Sequence, residues 1–103
     1  MKIVWTLYAI QDLSAIRTYI AEHSPKAAEG VARRILHAAR LLAEHPNLGV
    51  RTHRTDVRKL MVKQSPYILP YRIVDREIQI LEVFDGRQQA PRTDILGITS
   101  STP

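Results

Sequence analysis

The sequence predicts a single α+β domain in which an N-terminal strand and an antiparallel helical hairpin pack on an antiparallel β-meander, in the order β-α-α-β-β-β. Apolar residues in the first half recur at helical spacing on both sides of Ser24-Pro25. The second half has three short β-prone segments instead, and the last two are separated only by Asp75-Arg76. The length of 103 residues suits one domain with one hydrophobic core.

The first strand and the first helix are predicted near the N-terminus. Lys2 to Trp5 is short and β-prone, and Trp5 is expected to anchor the core. Thr6 is a suitable N-cap for a helix that runs through about His23. The apolar stripe of this helix consists of Ala9, Leu13, Ile16 and Ile20. The tyrosines expected to lie in the core or to line a groove are Tyr19, Tyr67 and Tyr71.

The second helix is expected to begin at Ser24-Pro25 and to end near Glu44. Serine supplies an N-cap, and proline stands in the first turn, where a missing N–H costs nothing. The many alanines of this helix allow a close approach to the first one, so the two should form an antiparallel hairpin. The segment His45-Pro46-Asn47-Leu48-Gly49 ends it, because proline cannot continue a helix and glycine supports a turn.

The second half is predicted to be β-structure. The predicted strands are Val57–Val62, Tyr67–Val74 and Glu77–Phe84. Asp75-Arg76 is short enough for a tight turn between the last two strands. Pro70 breaks the ladder of the middle strand, which indicates an exposed stretch or a bulge. In the last strand the alternation of polar and apolar residues shifts by one position between Ile80 and Leu81. This shift indicates either a β-bulge or a strand that is buried on both faces of the sheet.

The composition argues against several classes of protein. The chain contains no cysteine, so disulfides and thiolate metal sites are excluded. Its four histidines are scattered without a helical metal-ligand spacing, so neither a metal nor another cofactor is expected. No apolar stretch reaches the roughly 20 residues of a membrane span, and no signal peptide is recognised. We therefore expect a cytoplasmic protein without a membrane partner.

The net charge is +5, from 15 basic and 10 acidic residues, and the basic excess is concentrated between Val50 and Lys63. The predicted basic patch there consists of Arg51, Arg54, Lys59 and Lys63, with Arg58 beside them. Asp56 is the single acid of that segment. Such an excess suits phosphates or an acidic protein partner, and an ordinary solvated loop has the same composition.

The segment Val83–Gln88 is the strongest candidate site in the sequence. An apolar strand ends there in Asp85-Gly86, a pair typical of turns. Arg87 and Gln88 follow directly, so a firm base at the mouth of the sheet should present them. Arg87 is expected either to contact another macromolecule or to pair with Asp85 or Glu82. Gln88 is expected either to contact the same target or to bind nearby backbone.

The layout resembles the ParE branch of the ParE/RelE toxin superfamily, the toxin halves of bacterial toxin–antitoxin pairs. The resemblance runs from Ile3 to about Gln88 and rests most on the Pro-x-x-Gly at 46–49 and on Gly86-Arg87-Gln88. The other matching residues are Val4-Trp5-Thr6, Ala9, Asp12-Leu13, Ile16, Tyr19-Ile20, Pro25, Ala28, Leu42, Val57-Arg58, Tyr67 and Tyr71-Arg72. We therefore expect residues 1–90 to form the toxin domain and residues 91–103 a partly disordered tail.

The resemblance implies a protein that inhibits DNA gyrase and blocks replication, with no catalytic residue. It also implies a cognate ParD-like antitoxin with a disordered segment that folds across a groove of the toxin. Nucleic acid would be met only indirectly, through gyrase, or as operator DNA within the antitoxin complex. The residues considered for target binding are Arg58, Arg72, Asp85, Gly86, Arg87 and Gln88. Arg58 has a second interpretation, because a buried arginine needs a partner and an acid such as Asp12 could supply one.

One alternative is a non-toxic member of the family that only binds its partner. The other is a RelE-like, ribosome-dependent mRNA endoribonuclease. Cleavage of RNA through its 2′-hydroxyl needs a base, a cation and an acid. RelE-like toxins carry an arginine at the start of the third strand and a C-terminal tyrosine or histidine. This chain has Ile68 after Tyr67 and neither of those residues after Gln88, which favours the ParE interpretation. Many ParE-like members carry histidine where Asp85 stands, so the charge at this position is reversed.

Overall fold

The computed structural model describes residues 1–88, which form two helices and one sheet. The elements are β1 (Lys2–Trp5), α1 (Leu7–Ala21), α2 (Pro25–Glu44), β2 (Val50–Arg51), β3 (Arg58–Met61), β4 (Tyr67–Val74), β5 (Glu77–Ile80) and β6 (Phe84–Asp85). The predicted α+β class is confirmed. The tail predicted at residues 91–103 lies outside the described residues. Neither helix of residues 1–88 combines the length and the hydrophobicity of a membrane span.

The sheet contains the predicted meander and extends it at both edges. Its strand order is β1-β5-β4-β3-β2, and β6 pairs with β4 beyond the end of β5. Strands β2 to β6 pair in antiparallel fashion, whereas β1 lies parallel to β5, with Ile3 opposite Ile78. The sheet is therefore mixed rather than a pure antiparallel meander, because the N-terminal strand joins it alongside β5.

The helices begin where the sequence predicts, since each has a side-chain cap. Thr6 Oγ1 accepts a hydrogen bond from the Ala9 amide at 3.2 Å, and Ser24 Oγ accepts one from the Ala27 amide at 3.1 Å. Helix α1 ends at Ala21, slightly before the predicted end.

Both helices pack on one face of the sheet, where side chains that alternate along the strands form the core. The fully buried large side chains are Ile35, Leu42, Leu69, Tyr71, Ile78 and Ile80.

The predicted long last strand is interrupted after Ile80 and resumes as β6. Helix α1 holds the irregular segment, because the Asp12 carboxylate accepts a hydrogen bond from the Val83 amide at 3.0 Å. The interruption also explains why β4 tolerates a proline at position 70. The Pro70 carbonyl accepts a hydrogen bond from the Leu81 amide at 2.9 Å. An N–H at position 70 would point to that same side of β4, where β5 has already ended, so its absence does not break the β4–β5 ladder.

Candidate functional site

The turn after β6, here called the rim (residues 85–88), is held close to the start of β4. The Gly86 amide donates to Pro66 O at 2.9 Å. A Cβ atom on Gly86 would lie 2.5 Å from Ile68 Cδ1, so a side chain at this position would displace Ile68. The Gln88 amide donates to Asp85 O at 3.1 Å, so this residue binds nearby backbone through its main chain. The rim is therefore a closed turn on a firm base.

Arg87 points outward from the rim and is braced by Asp85. Its Nε and Nη2 atoms donate to the two carboxylate oxygens of Asp85 at 3.1 and 2.8 Å, and its amide donates to Asp85 Oδ1 at 2.9 Å. The Arg87 side chain is 73% exposed, whereas that of Asp85 is 11% exposed. Hydrogen bonding by the guanidinium lowers the pKa of the Asp85 carboxyl below its ordinary value. The predicted pairing of Arg87 with Asp85 is present, and the exposed guanidinium leaves contact with another macromolecule as a prediction.

One tyrosine, Tyr67, borders the rim, and a second, Tyr19, lies within electrostatic range of the first. Tyr67 lies directly opposite Asp85 in the β4–β6 pair. Burial raises the pKa of its phenol, and the Asp85 charge raises this pKa further. The charge of Arg87 acts on the same phenol in the opposite direction, and Tyr19 contributes a smaller electrostatic effect. Tyr19 is 65% exposed, and its ring meets that of His23 edge to face at 6.2 Å between centroids.

Sequence reasoning assigned Tyr19 to the core or a groove and so missed its high exposure. Its position at the border of the helical stripe was the available signal, because a border residue can turn toward solvent.

Arg58 contacts the backbone of a neighbouring turn. Its Nη1 atom donates to Gly49 O at 2.9 Å and to Asn47 O at 3.4 Å, so it binds the turn that follows α2. The expectation that it meets an acid such as Asp12 is replaced by these two carbonyl contacts. Asp12 instead binds the backbone near β6. These two hydrogen bonds from Nη1 stabilise the loop between α2 and β2.

Arg72 lies on the sheet face opposite to Tyr71 and the core, because successive side chains in a strand point to opposite faces. Its Nε atom donates to Gln79 Oε1 at 2.8 Å, and its Nη1 lies 3.9 Å from Asp56 Oδ2. Arg54 binds the same carboxylate at 3.1 Å. The six residues considered for target binding are thus divided between the rim, the outer face and the 47–49 turn.

The predicted basic patch is also divided. Arg54 is neutralised by Asp56, and Arg51 is exposed at the sheet edge. Lys59 and Lys63 line a separate groove, here called the basic groove, with a volume of about 430 Å³. Its lining residues are Arg34, His37, Ala38, Leu41, Leu48, Gly49, Val50, Lys59, Leu60, Met61, Lys63 and Gln64. The basic groove therefore lies between the second half of α2 and strands β2 and β3.

This architecture is that of a toxin–antitoxin protein. It matches a solved structure described as the chromosomal ParDE TA system from P. aeruginosa, with a TM-score of 0.73 and 28% sequence identity. The match covers 82% of this chain and 95% of that chain. Residues 3–90 match the model of the family described as ParE toxin of type II toxin-antitoxin system, parDE, and the chain belongs to this family.

Two relatives agree with that assignment. The chain is 41% identical over 91 residues to "Putative toxin Y4kP" of Sinorhizobium fredii. The alignment covers 88% of this chain and 94% of that protein. The chain is 40% identical over 82 residues to "Toxin RelE2" of Caulobacter vibrioides. The alignment covers 80% of this chain and 91% of that protein. The chain is thus a toxin of a type II toxin–antitoxin system, and the ParDE likeness supports an antitoxin as its partner.

Proposed function

We propose that this toxin inhibits DNA gyrase in the cytoplasm and thereby blocks replication, and that a cognate ParD-like antitoxin neutralises it. In this proposal residues 1–90 form the toxin domain, and the rim contacts gyrase through Arg87. The observation that carries the proposal is the outward guanidinium of Arg87, held at two points by the mostly buried Asp85 carboxylate.

A braced arginine is suited to recognition of a macromolecule. Holding a long side chain in one conformation before binding reduces the entropy lost on association. Arginine is also among the residues that contribute most to protein interfaces. Tyr67 lies near Arg87 and offers apolar ring surface and a hydroxyl group to the same partner. The rim and this ring together supply a contact surface.

The acid–base properties of the rim favour inhibition by binding over catalysis. A group that moves protons efficiently has a pKa near the working pH. The pKa of Tyr67 is raised above its ordinary value of 10.0. The pKa of Asp85 is lowered from an ordinary value that is already acidic. Both pKa values move away from neutrality, which supports a non-enzymatic role for the rim.

The proposal is tested in a DNA supercoiling assay with purified gyrase. The Arg87→Ala variant should require at least roughly tenfold more protein for the same inhibition, because it removes the central cation. Arg17→Ala is the matched control, since Arg17 is a half-exposed arginine that also pairs with a carboxylate, Glu29, at 2.7 Å. The control should inhibit like the unaltered protein. Unimpaired supercoiling at every concentration of the unaltered protein would refute the gyrase proposal.

The second candidate is a ribosome-dependent mRNA endoribonuclease, which the name of the relative "Toxin RelE2" favours. In that case Arg58, Lys59, Lys63 and Arg87 would bind phosphates. Expression would then cause codon-specific mRNA breaks without a DNA-damage response. Gyrase inhibition would instead cause DNA-damage signalling and filamentation. Mapping of mRNA ends beside a damage reporter in the same culture separates the two candidates.

A further inference from the structure

The outward side of helix α2 is a row of basic side chains, here called the basic ridge. The buried residues of this helix, among them Ala32, Ile35 and Leu42, face the sheet. With 3.6 residues per turn, the side of the helix opposite to them is occupied by Lys26, Arg33, His37 and Arg40, and all four are exposed. The ridge therefore points away from the core along most of α2.

The positive charge of the ridge is not neutralised by its neighbours. Within residues 1–88, no ion pair engages its lysine or its arginines. Glu29 lies toward α1 and pairs with Arg17 at 2.7 Å. Glu44, in the last turn of α2, is the one acid that shares the outward side of the described helix. The charge of the ridge is therefore available to an external anion.

The positive surface continues from the ridge to the edge of the sheet. His37 belongs both to the ridge and to the lining of the basic groove. Arg34, Lys59 and Lys63 line the same groove, and none of its lining residues in the described part of the chain is acidic. The ridge and these three cations together are here called the basic surface. The basic surface shares no residue with the rim.

The make-up of the ridge suits phosphates better than a protein surface. No large apolar side chain stands at the outward positions of α2, which carry Lys26, Gly30, Arg33, His37, Arg40 and Glu44. The core of a protein–protein interface is depleted of charge and rich in aromatic residues, whereas arginine and lysine alone suffice for phosphate contacts. At a rise of 1.5 Å per residue the ridge is about 21 Å long, which matches about six base pairs of duplex.

We propose that the basic surface binds the phosphate backbone of duplex DNA directly. The ridge lies along the duplex, and Arg34, Lys59 and Lys63 reach phosphates beside it. Contacts to phosphates carry no sequence information, so the binding is independent of base sequence. The choice of DNA over RNA rests on the proposed function, because gyrase acts on duplex DNA. A toxin bound to gyrase through Arg87 would then meet the DNA with a different surface.

The test is fluorescence anisotropy with a short labelled DNA duplex of mixed sequence and the purified chain, free of antitoxin. The logarithm of the binding constant should fall with the logarithm of the salt concentration at a slope of roughly −4 to −5, because each neutralised phosphate contributes about −0.9. Each of the variants Arg33→Gln, Arg40→Gln and Lys63→Gln should bind roughly fivefold to tenfold more weakly at about 0.1 M salt and reduce the slope by about 1. Their circular dichroism should be unchanged, since all three side chains are exposed.

Two control variants show whether the location of the charge matters. Arg76→Gln removes the same charge from the exposed turn between β4 and β5, and it should bind DNA like the unaltered chain. Arg87→Ala should also bind DNA normally while inhibiting gyrase more weakly. A loss in either control as large as that of Arg33→Gln would overturn the assignment to the basic surface.

The remaining outcomes separate this inference from the proposed function. Absence of duplex binding by the unaltered chain overturns the inference, whereas the supercoiling assay decides the gyrase proposal independently. Tighter binding of a duplex RNA of the same length, or of polyglutamate, overturns the choice of DNA as ligand. Weaker DNA binding by the three basic-surface variants, with both controls unchanged, supports the inference.

Discussion

The Tyr71 hydroxyl lies against Gly49 and accepts a hydrogen bond from its amide at 2.9 Å. The same hydroxyl donates to Pro46 O at 2.7 Å. The buried tyrosine of β4 thus closes the Pro-x-x-Gly turn at the end of α2, and Arg58 binds Gly49 O from the neighbouring strand. This contact gives a physical reason for the turn motif at 46–49, because it fixes the turn that lines the basic groove.

Replacing Tyr71 by phenylalanine should lower the free energy of unfolding by about 1–3 kcal/mol, because the Gly49 amide and the Pro46 carbonyl both lose a buried partner. Burial raises the pKa of the Tyr71 phenol, so the folded state holds this proton more tightly than the unfolded state. The corresponding stabilisation is complete below about pH 10 and is lost as the pH rises through the folded-state pKa. Urea unfolding at several pH values measures both effects. A Tyr71→Phe variant with the same alkaline loss of stability as the unaltered chain would contradict this assignment.

Gly49→Ala should destabilise the fold by about 1–3 kcal/mol through overpacking. The added Cβ would lie 2.6 Å from the Tyr71 ring and 2.8 Å from the backbone carbonyl of Lys59. Gly30→Ala is the contrasting control, because its Cβ would meet Arg34 Nη1 at an ordinary 3.8 Å within a helix. That change should stabilise by roughly 0.5–1 kcal/mol. Thermal unfolding of both variants checks the pair, and similar melting temperatures would contradict the packing argument.

Thr6→Ala should cost more than Ser24→Ala, although both remove a helix cap. Loss of a cap alone costs typically about 1 kcal/mol. The Thr6 hydroxyl also shares its single proton between the carbonyls of Ile80 and Leu81, each at 2.9 Å, and so ties the start of α1 to the end of β5. Its loss should add roughly 1 kcal/mol to the cap effect. Chemical denaturation compares the two, and equal costs would show that the tie to β5 contributes nothing.

Arg87→Ala should raise the pKa of Asp85, because the guanidinium hydrogen bonds that favour the charged carboxylate are lost. Arg87→Lys should raise this pKa less, since lysine keeps the charge without the two-point geometry. A pH titration followed by carboxyl carbon NMR measures the change, with Arg17→Ala as control. An Asp85 pKa that is the same in all four proteins would mean that the ion pair is not formed in solution.

The sequence predicts the helices and turns well because their signals are local. Thr6 and Ser24 cap helices with atoms only three residues away. The tight turn predicted at Asp75-Arg76 is confirmed, and both residues adopt positive φ, at 50° and 64°. This is the conformation of two-residue turns that match strand twist. Such features depend on bonds within a few residues, so the order of amino acids is sufficient to predict them.

The candidate site could be predicted only in part. The exposed Arg87 and its pairing with Asp85 follow from two residues in one turn. The partner of Arg58 did not follow, because the 47–49 carbonyls reach it only when β2 pairs with β3. The basic patch was predicted as one surface, yet Arg54 pairs with Asp56, whereas Lys59 and Lys63 line the groove beside α2.

The amino-acid sequence by itself determined the two capped helices, the β-rich second half, the closing turn and the family resemblance. The tertiary structure decided that β1 joins β5 in parallel, that Asp12 holds the chain where β5 ends, and that the basic residues divide between two surfaces. The physical reason is distance along the chain. Caps and turns are settled by neighbouring groups, whereas strand order and side-chain partners depend on which distant apolar faces are buried together.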